Sequence, residues 1–95
     1  MIEFNNQELK VSGKIDFDNA ENYFLNGLKI IQNEKNFPIT VDLAKLEHGS
    51  TVTLAVFVQW LRHTPNKQGL VFRNIPEKMM KIIQSCHLEH DLELI

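Results

Sequence analysis

The chain of 95 residues has a single cysteine, Cys86, so no internal disulfide is possible and the fold must rest on burial and hydrogen bonding. A reducing compartment fits that usage. An excess of one charge is also missing, since ten Lys and Arg stand against twelve Asp and Glu for a formal net charge of -2. Such a surface offers phosphate backbones no sequence-independent attraction, and nucleic acid is excluded as an expected partner. No apolar stretch approaches the roughly 20 residues of a membrane span, and "MIEFNNQELK" has neither the basic start nor the apolar middle of a secretory signal. The expected location is cytoplasmic. No repeat, linker or low-complexity segment interrupts the chain, so one domain is expected over residues 1–95.

What is present is a 43% hydrophobic content arranged in alternating periods. "IEF" and "LKVSGKI" read as two strands joined at "NNQ", because Leu9, Val11 and Gly13 alternate with Lys10, Ser12 and Lys14. Ala20, Phe24, Leu28 and Ile31 then recur at helical spacing, with Asp18 or Asn19 as N-cap and "NEKNFP" as the stop. "PITVDL" suits a central strand. A second helix follows "AKLEHG" and closes at "HTPN", where Pro65 disfavours helical geometry in the residue before it. "GLVFRN" is another short strand. Pro76 is placed as the first residue of a third helix with Met79, Ile82, Ile83 and Cys86 on its apolar stripe, and "DLELI" is a terminal edge strand. The order β-β-α-β-α-β-α-β predicts an α/β domain with a mixed sheet and packed helices.

The stretch "LEHGSTVTLAVFVQWLRHTP", Leu46 to Pro65, raises the functional question. Ser50 is a good N-cap for the second helix, and Gly49 permits a sharp turn into it. That accounts for Ser50. It leaves Thr51 and Thr53 unexplained, because β-branched residues in a first turn gain little over Ala or Glu. The same turn is suited to contact a protein, to hold an anion at the positive helix end, or to be phosphorylated at a hydroxyl. Leu54, Phe57, Val58 and Leu61 make the stripe expected to bind the sheet, while Val56 and Trp60 lie off it. They are either packed on a neighbouring helix or exposed as interface anchors.

The sequence "VDLAKLEHGSTVTLAVFVQWL", followed by "QGLVFRN" and "IPEKMMKIIQSCHLEHDLEL", resembles the STAS domain of sulfate transporters and anti-sigma factor antagonists. Nearly the whole chain takes part in the resemblance. Asp42 and Leu43 match the strand end, and Thr51 falls on the hydroxyl residue phosphorylated in anti-sigma antagonists. Ser50 stands where that family has Asp, and Val52 and Thr53 replace its small residues. Within the family, the chain resembles the STAS subunits of the Mla (maintenance of lipid asymmetry) phospholipid ABC transporters. This resemblance implies a STAS fold and a non-catalytic accessory subunit that binds and supports the ATPase subunit. Through it the chain would reach the permease and substrate-binding subunits, and be associated with the inner membrane only by way of the complex. It also implies a partner-binding surface at Gly49, Ser50, Thr51, Val52, Thr53 and Val56. The alternative is an anti-sigma factor antagonist switched by phosphorylation of the Ser50/Thr51 turn.

Other residues suggest chemistry and lack its context. Cys86, His87 and His90 in "CHLEH", with His48 and His63 elsewhere, do not form the two separated ligand pairs of a zinc site, so no metal or other cofactor is expected. Cys86 sits near the negative end of a helix, a setting that opposes a nucleophilic role. Asp16, Asp18 and Glu21 lie at the start of the first helix, where carboxylates complement its dipole. Nothing in the chain has the glycine and lysine spacing of a nucleotide-cradling loop.

Overall fold

The computed structural model describes residues 1–64 and 69–95. Strands β1 (Ile2–Asn5) and β2 (Glu8–Val11) form an antiparallel hairpin, followed by the short β3 (Gly13–Lys14) and helix α1 (Ala20–Asn33). Then come β4 (Ile39–Asp42), the short β5 (Leu46–Glu47), α2 (Thr51–Arg62), β6 (Leu70–Arg73), α3 (Glu77–Ser85) and β7 (Glu93–Leu94). The main sheet has the order β1-β2-β4-β6-β7, parallel from β2 onward, and β3 pairs with β5 in a second, two-stranded parallel sheet. The α/β class and mixed sheet expected from the sequence are therefore the observed ones. The two additional strands are only two residues long, too short for a periodic signal.

Each crossover from β2 to β4, β4 to β6 and β6 to β7 steps one place in the same direction. Right-handed connections of that kind leave the helices on one face of the sheet. The row Phe4, Leu9, Val41, Phe72, Leu94 faces them, and Leu9, Val41 and Phe72 are at most 1% exposed. On the opposite face the row Glu3, Lys10, Asp42, Arg73 is polar, and the Arg73 guanidinium pairs with both Glu8 and Asp42. Burial would raise the Asp42 carboxyl pKa, but the Ala44 N–H, the Asn74 amide and the Arg73 guanidinium outweigh it and hold the group below its ordinary value.

Three local expectations are corrected. Asn19 is the N-cap residue of α1 yet makes no side-chain cap; instead the Asp16 carboxylate accepts the Asp18 and Asn19 N–H groups at 2.9 and 3.1 Å. Pro76 is extended and precedes α3 as its N-cap, so the helix begins one residue later at Glu77. Cys86 is the exposed C-cap of α3, beyond the stripe of Met79 and Ile83 that reaches the core. At the end of α2 the cap is His63, and Pro65 lies outside the described residues.

Candidate functional site

The turn into α2 is built by two neighbours with different tasks. His48 takes the left-handed conformation, with φ of 50°, so the sharp bend sits there and not at Gly49. What Gly49 supplies is room: a Cβ at that position would stand 2.9 Å from Met79 Sδ and 3.3 Å from Met79 Cα. A side chain on Gly49 would press on Met79 and force a local shift there. Ser50 is extended, and its Oγ accepts the Thr53 N–H at 3.2 Å, as an N-cap should. The same oxygen lies 3.2 Å from Thr53 Oγ1, so the fully buried Thr53 hydroxyl has a partner.

The expected partner-binding residues divide by exposure. Thr51 is exposed, Ser50 and Val52 are half-buried, and Gly49, Thr53 and Val56 are buried. Val56 is a core residue at 5% exposure, which withdraws its side chain from a surface role in this conformation. Trp60 is likewise core at 0%, and it packs on α1. Its indole N–H donates to the Phe24 carbonyl at 3.0 Å, and a Cβ on Gly27 would fall 2.3 Å from the ring. Gly27 is thus the seat for Trp60. The Val58 and Leu61 side chains, expected on the deep stripe, are only half-buried.

Sequence reasoning missed the surface that this rotation leaves outside. Thr51, Leu54, Ala55, Val58, Gln59 and Arg62 line one side of an open groove of about 270 Å³, with Cys86 and Leu88 on the other. The residues at 51, 55, 58 and 62 share a helix face by their three- and four-residue spacing. The signal was present, hidden by Val58 looking like core.

The small sheet relates this turn to the start of α1. Because β3 and β5 run parallel, the residues that follow them leave the same end of the small sheet, those before α1 beside those before α2. Burial, then Glu47, then Asp16 raise the pKa of the Tyr23 hydroxyl, which donates to the Ser12 carbonyl at 2.7 Å. Among the described residues no group of three His, Cys, Asp or Glu side chains is arranged to hold a metal ion, and no helix is long and apolar enough to cross a membrane.

A mixed sheet with three helices, in a single small domain, defines the class as α/β. The family model described as "Mlab, STAS domain" matches residues 2–95, and the chain belongs to that STAS family. Among solved structures, it is similar to a chain of the Acinetobacter MlaFEDB complex in an ATP-bound conformation (Vtrans1), at 60% identity, with full coverage of both chains and a TM-score of 0.92. A second ATP-bound conformation of that complex (Vtrans2) gives 60% identity over both full chains and a TM-score of 0.91. An anti-sigma factor antagonist from Mycobacterium paratuberculosis has a TM-score of 0.81 at 18% identity, covering 99% of this chain and 81% of that one, which is likeness of fold alone. The search of curated proteins returned no match.

Proposed function

We propose that the chain is a non-catalytic accessory subunit of an Mla-type phospholipid ABC transporter, docked on the cytoplasmic side to the ATPase subunit through the turn at Ser50 and Thr51. The observation that supports this most is the 60% identity, across the full length of both chains, to a chain of the MlaFEDB complex. The exposed Thr51 at the head of an open groove agrees with it. A half-buried cap and an exposed hydroxyl give the turn two separable tasks: Ser50 fixes the helix, and Thr51 meets the partner.

Thr51→Glu tests the docking turn. A carboxylate near a helix N-terminus is tolerated or mildly stabilising, so the free domain should melt as the parent does. Binding to the ATPase subunit should fall sharply, because an ionised group replaces a packed hydroxyl and methyl. Isothermal titration against the ATPase subunit, paired with thermal unfolding of the variant alone, measures both. Normal affinity in Thr51→Glu would reduce the turn to a helix cap.

A further inference from the structure

The loop before α1 holds a side chain that the domain's own packing leaves unused. Phe17 is 88% exposed, more than any other large hydrophobic residue among those described. Single apolar residues on a surface are ordinary, and this one differs in how it is presented. The Asp16 carboxylate accepts the Asp18 and Asn19 N–H groups on one side, Asn19 Oδ1 accepts the Asp16 N–H at 2.8 Å, and Asn19 Nδ2 donates to the Lys14 carbonyl at 2.8 Å. The backbone that carries the ring is already ordered. An anchor held this way loses little further freedom when it is buried against a partner.

Its place in the fold matters as much. The Phe17 loop leaves β3 at the same end where the Thr51 turn follows β5, and the helices they open pack on each other. The charge around it is one-sided: Asp16, Asp18 and Glu21 stand against Lys14, and none of the three carboxylates forms an ion pair among the described residues. An apolar ring inside an acidic rim is complementary to an apolar pocket edged by Lys or Arg.

Resting on the proposed function, we infer that Phe17 is a second anchor of the docking surface, seated in a basic-rimmed apolar pocket of the ATPase subunit beside the Thr51 contact. The test is binding of the full chain to the purified ATPase subunit, with Phe17→Ala, Asp18→Lys and Thr51→Glu measured together. Phe17→Ala should melt with the parent protein, since the ring is in water, and should weaken binding by about tenfold or more. Asp18→Lys should slow association and reduce its dependence on salt concentration. Parental affinity in Phe17→Ala overturns the inference, and a lost Thr51→Glu complex in the same assay would show that the docking turn stands without it. A lowered melting temperature in Phe17→Ala would assign the ring to the fold and overturn it equally. Unchanged association of Asp18→Lys overturns the basic rim, and a parent chain with no affinity for the ATPase subunit overturns both readings.

Discussion

On the sheet side of α2 stand Thr53, Leu54, Val56, Phe57 and Trp60, all buried, whereas Thr51, Ala55 and Arg62 on the other side remain exposed and Val58 and Gln59 partly so. Polarity separates them in part, since Gln59 and Arg62 lie only on the outer face, but Thr and Val occur on both. The rings occur on one alone. The buried face holds the large rings, with the Phe57 ring tilted against Phe72 at 5.4 Å and against Trp60 at 5.6 Å, while the exposed face has no ring. Rings need a prepared seat, and the fold provides one at Gly27. Small residues leave a shallow path along which another surface can approach.

The largest break in this comparison is Trp60→Ala. Removing a fully buried indole deletes its burial and leaves a cavity between α1 and α2, which should cost about 3–5 kcal/mol in chemical denaturation. A loss below about 1 kcal/mol would mean that the ring contributes little to the core, contrary to its contacts.

The same contrast bears on which parts were legible in the sequence. Strand β2 was readable from alternation, with Leu9 inward and Lys10 outward, and β4 and β6 as short apolar runs in which Val41 and Phe72 turn inward and Asp42 and Arg73 outward. Helix α2 was not, since a helix apolar on nearly every side has several equally good stripes. The stripe chosen from spacing included Val58 and Leu61 and omitted Val56 and Trp60, about a quarter-turn from the observed one. The contact of Trp60 with Gly27, two residues more than thirty apart in sequence, helps to fix the rotation. Ser50 as cap was legible because its bond is local. The burial of Thr53 was hidden for the same reason as that of Trp60.

Ser50→Ala probes the junction between the two faces and should have an intermediate effect. The change removes the acceptor for the Thr53 N–H and the partner of the buried Thr53 hydroxyl, so stability should fall by about 1–2 kcal/mol. Ser50→Asn, which keeps an acceptor at the N-cap, should recover part of that loss. Equal melting temperatures for Ser50→Ala and the parent would show that the cap does not limit stability.

The smallest stability change is expected at Thr51→Ala, where the contrast between fold and partner is sharpest. Thr51 is the first residue of α2 and is exposed, so its side chain gives the free domain little to lose. Alanine is the better helix former, and β-branching restrains the threonine rotamer, so the two effects should leave stability within a few tenths of a kcal/mol. Affinity for the ATPase subunit should nonetheless decrease, because the hydroxyl and methyl that the partner would meet are gone. Paired denaturation and titration therefore separate the roles: Ser50→Ala should lower stability, and Thr51→Ala should lower binding with stability nearly intact. If Thr51→Ala instead destabilised the free domain by more than about 1 kcal/mol, Thr51 would belong to the folding side of α2 and the division between its faces would begin one residue later.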